Sequence, residues 1–171
     1  MPRRRLYRSN AERQSAYRQR LRKRLPVYLR HQSDEWETPP DLFRELDQEF
    51  GFKVDLAALP HNTKCPQFYS PADDSLKQNW EGVCWLNPPY GVQLLHWMRK
   101  AHESAQRGAT VVCLVPARTD SRWWHDYALP HGEIRYIKRR LKFNGAATSA
   151  PFASVVVIFR SKVFNASGGT E

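Results

Sequence analysis

Apolar side chains recur at helical spacing in two parts of this chain, and each part ends at a glycine. Residues 40–50 begin at the second proline of a Thr-Pro-Pro segment and precede Gly51, which predicts a helix that begins at a proline and stops at the glycine. Residues 93–108 repeat the pattern and end at Gly108. The predicted apolar faces consist of Leu42, Phe43, Leu46 and Phe50 in the first helix, and of Leu95, Met98, His102 and Ala105 in the second.

Five shorter apolar or β-branched runs predict strands between and after these helices. The runs are FKVDLAA (52–58), GVCWL (82–86), ATVVCLVPA (109–117), EIRYIKRRLKF (133–143) and FASVVVIFR (152–160). Residues 65–80 predict a loop with a short helix, and residues 121–129 are helical or irregular. Strands that alternate with helices predict an α/β fold with a mostly parallel central sheet, and the last two strands are close enough to pair antiparallel.

Charge divides the chain into a basic arm and a neutral body. The 171 residues carry a formal net charge of +10, and residues 1–30 hold 11 of the 27 basic residues but one of the 17 acidic residues. We therefore expect a basic N-terminal arm over 1–30, helical or disordered, a folded domain over 31–162 and a C-terminal tail over 163–171. Arginine dominates the arm and suits phosphate geometry, so the arm predicts a polyanion partner; a solvated tail is the alternative.

Composition argues against several other classes of protein. The three cysteines lie far apart and form no disulfide framework or zinc motif, and the six histidines show no metal spacing. The chain contains no run of 18 apolar residues and no signal-peptide pattern. We expect a cytoplasmic protein without a metal ion or a membrane anchor.

Polar residues follow three of the predicted strands at the point where each strand ends. Asp55 ends the first strand, Asn87 follows the second, and Arg118 follows the third. Because ligands bind beyond the carboxyl ends of parallel strands, we expect these residues to line one edge of the sheet.

The sequence NPPY (87–90) has the chemistry to hold a planar amino group. The Asn87 side chain and the Pro88 carbonyl are hydrogen-bond acceptors, and the two prolines restrict the backbone around them. Two acceptors aimed at the hydrogens of a conjugated amine favour a pyramidal nitrogen whose lone pair turns toward an electrophile. Tyr90 supplies a ring that can stack on the base. A simple turn after a strand is the alternative.

An ordered set of motifs resembles a known family. The segments WETPP, VDLAA, DDSL, NPPY, CLVPARTD and RLKF…APFASVVVIF are similar to the small DNA N6-adenine methyltransferases, Dam-like, of phages and prophages. The resemblance covers 33–160. It implies a compact S-adenosylmethionine-dependent methyltransferase (Rossmann-like) fold that transfers a methyl group to adenine N6 in DNA, with the adenine flipped into a pocket.

The same resemblance implies roles for individual residues. The implied catalytic loop is Asn87, Pro88, Pro89 and Tyr90. The implied contacts to S-adenosylmethionine are Thr38, Pro39, Asp55, Ala57, Asp74 and Asn87, and the implied contacts to DNA are Tyr90, Arg118, Arg140, Lys142 and Phe143. Thr38 and Asp74 could instead cap helices, Asp55 could form a turn or pair with Lys53, and Phe143 could be core.

The loop after the first strand departs from the usual methyltransferase pattern. DLAALPHN (55–62) contains no glycine, although most cofactor-binding methyltransferases place a glycine-rich turn there. The missing glycines leave a non-catalytic nucleic-acid binder on a degenerate methyltransferase fold open as an alternative. Methylation of RNA or of a protein amide also stays open, because the NPPY grip suits any conjugated NH2 group.

Overall fold

The structure, a computed structural model, describes residues 36–160. The predicted basic arm and the predicted tail lie outside this range, and so do both domain boundaries, which stay predictions. In chain order the elements are α1 (Pro40–Phe50), β1 (Val54–Asp55), β2 (Gln67–Phe68), β3 (Val83–Leu86), α2 (Leu94–Gln106), β4 (Thr110–Pro116), a π-helical turn (Trp124–Ala128), α3 (Leu129–His131), β5 (Glu133–Tyr136) and β6 (Ser154–Phe159).

The first helix forms where the sequence predicts it. Pro40 occupies the first helical position, where its missing N–H costs no hydrogen bond. Gly51 ends the helix in the left-handed region at φ 65°, and its N–H donates to the Asp47 carbonyl at 2.8 Å.

The six strands form one sheet in the order β2-β1-β3-β4-β6-β5. Strands β1 to β4 pair in parallel, whereas β6 pairs antiparallel with both β4 and β5. The mixed α/β architecture and the terminal antiparallel pair are thus confirmed. The carboxyl ends of β1 to β4 meet at one edge, called here the carboxyl edge, and Ser154 at the start of β6 reaches the same edge opposite Pro116.

Apolar side chains are buried on both faces of the sheet. Helix α2 and the π-helical turn cover one face through residues such as Met98 and Trp124. Helix α1 and the segment that joins β5 to β6 cover the other face, through Leu46 and Phe143. Strands β4 and β6 are continuous apolar runs because both of their faces are covered.

Three details of the sequence prediction are wrong. The run 133–143 is a strand only to Tyr136, and residues 137–153 form a loop, called here the β5–β6 loop, in which Arg139 adopts φ 70°. Residues 67–68, predicted as loop, add a short strand beside β1. The buried face of α2 includes Met98 and Ala105 as predicted, but Leu94 and Ala101 are buried in place of Leu95 and His102, and Ser104 is buried as well.

Candidate active site

Asn87 follows β3 directly and lies at the carboxyl edge. Strand β3 pairs with β1 on one side and with β4 on the other, so Asn87 lies beyond the centre of the parallel part of the sheet. Pro88 is buried and Pro89 is exposed. Among residues 36–160, no backbone N–H donates to the Pro88 carbonyl, which leaves that acceptor available to a ligand.

Hydrogen bonds fix both ends of the Asn87 side chain. Its Nδ2 donates to the backbone carbonyl of Trp36 and, at 3.0 Å, to Oγ1 of Thr38. Its Oδ1 accepts the hydroxyl of Tyr90 at 2.8 Å. Because a carbonyl oxygen has two lone pairs, Oδ1 can accept one further hydrogen bond.

Tyr90 is a buried hydrogen-bond donor in this structure. Its side chain is 3% exposed, and its hydroxyl lies 3.2 Å from the Leu114 carbonyl as well as 2.8 Å from Asn87 Oδ1. Burial raises the pKa of the hydroxyl well above its ordinary value, so Tyr90 stays protonated. Phe143 and Phe152 pack edge-on against its ring, so the predicted stacking on a base requires a rearrangement and stays a prediction.

An aromatic cluster connects the segment before α1 to the β5–β6 loop. The Trp36 ring lies with its centroid 5.1 Å from the Phe143 centroid and 5.1 Å from the Phe152 centroid. The backbone N–H of Asn144 also donates to the Glu37 carbonyl at 2.9 Å. Segment 36–38, which holds Asn87, is therefore attached to the β5–β6 loop. Phe143 is buried beside Tyr90, which fits the alternative that it is a core residue, and its contact with a base stays a prediction.

The glycine-free loop after β1 is held by side-chain oxygens. The buried Asp55 carboxylate accepts the backbone N–H of Lys64 at 3.0 Å and that of Ala57 at 3.4 Å. Asn62 Oδ1 accepts the N–H of Leu59 at 2.7 Å. No residue between 52 and 73 has a positive φ, so the loop has no position that requires glycine. Asp55 thus stabilises a turn, which is one of the two alternative roles that the sequence suggested. A contact with the cofactor stays a prediction.

The other predicted cofactor residues occupy different environments. Ala57 is half-buried and follows Asp55 at the carboxyl edge. Asp74 joins two 3₁₀ turns at φ 47° and forms an exposed ion pair with Lys77 at 2.7 Å. Pro39 precedes α1, and its carbonyl accepts the N–H of Phe43 at 3.1 Å. Thr38 is buried, and its hydroxyl accepts a hydrogen bond from Asn87 Nδ2 in this structure.

Unpaired cations concentrate beside the site. Arg118 follows β4 at the carboxyl edge and is half-buried. Lys138, Arg139, Arg140 and Lys142 lie exposed on the β5–β6 loop, directly before buried Phe143. In the described part of the chain, none of these five side chains forms an ion pair, unlike Lys77 or Arg135. A polyanion at this edge would meet positive charge that the protein itself does not neutralise.

Two classes of site find no support within residues 36–160. These residues contain no group of three or more His, Cys, Asp or Glu side chains that could hold a metal ion. They also contain no helix that is long and apolar enough to span a membrane.

Three contacts of the candidate site escaped the sequence prediction. The Trp36 carbonyl and the Thr38 hydroxyl approach Asn87 from 51 and 49 residues away along the chain. Lys64 joins the Asp55 loop to segment 36–38, since its Nζ lies 3.1 Å from Glu37 Oε1. The spacing of local motifs carries no signal for such distant pairs, although an aromatic residue two positions before Thr38 was visible in WETPP.

Comparison with known proteins gives consistent matches. A family model described as DNA N-6-adenine-methyltransferase (Dam) matches residues 27–165. The chain is 36% identical over 107 residues to the DNA N-6-adenine-methyltransferase of Haemophilus phage HP1 (strain HP1c1). This alignment covers 61% of the present chain and 62% of the phage protein. The chain is 32% identical over 78 residues to the Escherichia coli (strain K12) protein named "Putative methyltransferase YfdM". That alignment covers 41% of the present chain and 86% of the Escherichia coli protein. The match therefore spans less than two thirds of the phage protein's length. The family model covers most of the chain, and the protein belongs to the DNA N-6-adenine-methyltransferase (Dam) family.

Proposed function

We propose that this protein transfers a methyl group from S-adenosylmethionine to the N6 amine of adenine in DNA. The observation that carries the proposal is the fixed Asn87 carboxamide at the carboxyl edge, with one acceptor site left on Oδ1. Asn87 Oδ1 and the Pro88 carbonyl would each accept one hydrogen of the amine. Both acceptors favour a pyramidal nitrogen, whose lone pair is then available for methylation. Family membership and the relative named as a DNA methyltransferase support the same reaction.

The unpaired cations support DNA as the substrate. Arg118, Arg140 and Lys142 lie beside the amine site and would contact phosphates on either side of the target base. An adenine must leave the duplex to reach Asn87, because its N6 is otherwise paired within the stack. In this proposal the ring of Phe143 turns away from Tyr90 to admit the base, while the backbone of the β5–β6 loop stays attached to segment 36–38 through Asn144 and Glu37.

Two buried groups fit a cofactor of this kind. Asp55 is a buried carboxylate whose hydrogen-bond donors within residues 36–160 are backbone N–H groups, while the Lys64 ammonium is directed to Glu37. A cationic ligand would compensate that charge. Ser75 Oγ, next to Asp74, is buried without a hydrogen-bond partner in residues 36–160 and could bond a polar ligand. When bound, S-adenosylmethionine supplies a methyl group on a sulfonium.

We assign Asp55, Ala57 and Asp74 to the cofactor side of the site and Asn87 to the boundary with the base. The parallel sheet, whose carboxyl edge carries Asp55, Ala57 and Asn87, supports an S-adenosylmethionine-dependent methyltransferase (Rossmann-like) fold. With DNA as substrate, and with matched relatives from a phage and from Escherichia coli, we place the reaction in the cytoplasm of a bacterial cell.

Transfer of radiolabelled methyl groups tests this function against its alternatives. The full chain is incubated with S-adenosylmethionine labelled on the methyl group and, separately, with unmethylated plasmid DNA, total RNA and a bacterial protein extract. We expect label in DNA from the wild-type protein and background label from the Asn87→Ala variant. Label in RNA or protein but not in DNA would overturn the proposal. The absence of any transfer, together with no thermal stabilisation by the cofactor, would favour a non-catalytic binder.

A further inference from the structure

We propose that Thr38 is a positioning residue for Asn87, and that position 87 requires an amide rather than any side chain with an acceptor oxygen. This inference rests on the function proposed above and deepens it. Both hydrogens of Asn87 Nδ2 have partners, the Trp36 carbonyl and the Thr38 hydroxyl. Because a backbone carbonyl can only accept, the nitrogen of the amide must face Trp36, and the oxygen must face the opposite way.

The Tyr90 hydroxyl also helps to orient the Asn87 amide, and it can exchange this hydrogen bond for another. It has one proton and two nearby acceptors, Asn87 Oδ1 at 2.8 Å and the Leu114 carbonyl at 3.2 Å. When the amine of a base occupies Oδ1, the proton can turn to Leu114 without leaving a buried donor unsatisfied. Tyr90 therefore donates to Asn87 Oδ1 in the absence of a base. When a base binds, Tyr90 can donate to Leu114 and leave both lone pairs of Oδ1 to the amine.

Segment 36–38 is rigid enough for this role because several contacts hold it. The Trp36 ring packs against Phe143 and Phe152, each at 5.1 Å between centroids. The Glu37 backbone accepts the Asn144 N–H, and its side chain pairs with Lys64. Thr38 itself is 2% exposed, so water does not compete for its hydroxyl. The orientation of Asn87 is thus set before a base binds.

The same contacts discriminate between asparagine and aspartate at position 87. Donation from Nδ2 to two acceptors polarises the amide and strengthens Oδ1 as an acceptor for the amine. An aspartate would supply acceptor oxygens too, but one of them would face the Trp36 carbonyl. Two acceptors in contact repel each other, and the half-buried carboxylate would lose the donors that water provides. Aspartate should therefore fail although it can accept the same hydrogen bonds.

Steady-state kinetics of Thr38→Val and Thr38→Ser separate positioning from cofactor binding. Valine keeps the shape and removes the acceptor, so we expect kcat to fall about three- to tenfold, the range of one lost hydrogen bond. The KM for S-adenosylmethionine should stay unchanged, and serine should restore most of kcat. An unchanged kcat in Thr38→Val, or a raised KM for the cofactor at unchanged kcat, would overturn the inference.

A readout without methyl transfer tests the inference even if the proposed function fails. In ¹⁵N-labelled protein, the side-chain NH2 signals of Asn87 are identified by their loss in Asn87→Asp. We expect these protons to exchange slowly with water in the wild type and in Thr38→Ser, and faster in Thr38→Val. Equal exchange in all three proteins would contradict the proposed contact. An active Asn87→Asp variant would also contradict it, since the amide nitrogen would then be dispensable.

Discussion

The Asp55 carboxylate accepts the backbone N–H of Lys64 at 3.0 Å, and the Lys64 ammonium extends from there to Glu37 at 3.1 Å. One lysine therefore joins the loop after β1 to the segment that holds Asn87. In the proposed function these two parts hold the methyl donor and the methyl acceptor. The relative position of these two parts should depend on Lys64, although Lys64 belongs to neither the WETPP motif nor the VDLAA motif.

Replacement of Lys64 by methionine should lower the rate of methylation clearly and the free energy of unfolding only slightly. Methionine keeps the backbone N–H for Asp55 and an apolar stem but loses the ammonium that binds Glu37. The ion pair is partly exposed, so we expect the free energy of unfolding to fall by about 1 kcal/mol or less. Denaturation in urea and methylation kinetics measure the two effects. Lys53→Met is the matched control, since Lys53 is exposed and forms no ion pair within residues 36–160. Equal loss of activity in both variants would contradict the role of Lys64.

Asp55 should make folding less favourable as the pH rises. Burial raises the pKa of its carboxyl, and the N–H groups of Lys64 and Ala57 oppose that shift only in part. The folded chain then binds the proton more tightly than the unfolded chain, in which the pKa is about 3.9. This contribution to stability is therefore present at low pH and is lost as pH rises through the raised pKa.

Comparison with Asp55→Asn isolates this contribution from that of other acids. The difference in unfolding free energy, wild type minus variant, should decrease as the pH rises above about 4 and level off once the carboxyl is ionised in the folded chain as well. Urea denaturation at a series of pH values measures it. A difference that is constant with pH would show that Asp55 titrates alike in the folded and unfolded chains.

The cations of the β5–β6 loop should govern the salt dependence of DNA binding. Each phosphate contact contributes about 0.9 to the slope of log affinity against log salt concentration. We expect the combined substitution of Lys138, Arg140 and Lys142 by serine to reduce the slope by about 0.9 for each residue that contacts a phosphate. Fluorescence anisotropy of labelled duplex DNA at several salt concentrations measures the slope.

Arg107 provides a matched control for that measurement. It is exposed at the end of α2, on the side of the sheet where β4 begins, opposite the carboxyl edge. Arg107→Ser should leave the slope nearly unchanged. The loop variant loses three charges and Arg107→Ser loses one, so the two are compared per charge removed. An equal reduction per charge would indicate a general effect of net charge and would contradict a DNA surface on the β5–β6 loop.

Ser154→Ala should stabilise the protein. Ser154 is 1% exposed, and its hydroxyl has no hydrogen-bond partner in the part of the chain that the structure describes. A buried unsatisfied hydroxyl costs about 1–3 kcal/mol, so its removal should raise the melting temperature. Calorimetry of Ser154→Ala and of the exposed control Ser149→Ala tests this. A lower melting temperature for Ser154→Ala alone would mean that the hydroxyl has a partner.

The local pattern of apolar residues was sufficient to predict the long helices and strands. The prediction failed for segments whose conformation depends on contacts with distant residues. Strand β4 is an apolar, β-branched run of seven residues, and few other conformations suit such a run. Strand β2 has two residues, one of them polar, and forms because Tyr69 donates its N–H to the Asp55 carbonyl. In the β5–β6 loop, Arg139 leaves the extended region, so the apolar residues that follow reach the core from a loop.

The candidate site shows the same division. The placement of Asn87 after a strand at the carboxyl edge could be read from the sequence, because it depends on strand order and polarity alone. The partners of its amide could not, since Trp36 and Thr38 lie about 50 residues earlier. Tyr90 was expected to offer its ring to a base. That role stays a prediction, and the two acceptors that lie near its hydroxyl, Asn87 Oδ1 and the Leu114 carbonyl, could not be foreseen from the neighbouring sequence.

The identity of the methylated nucleoside tests the central claim, that Asn87 and Pro88 hold an exocyclic amine of adenine. DNA treated with the protein and S-adenosylmethionine is digested to nucleosides and analysed by liquid chromatography and mass spectrometry. The claim predicts N6-methyldeoxyadenosine from the wild type and none from Asn87→Ala, with both proteins still binding DNA. Methylation of cytosine at carbon 5, which requires no grip on an amine, or undiminished N6-methyldeoxyadenosine from Asn87→Ala, would contradict it.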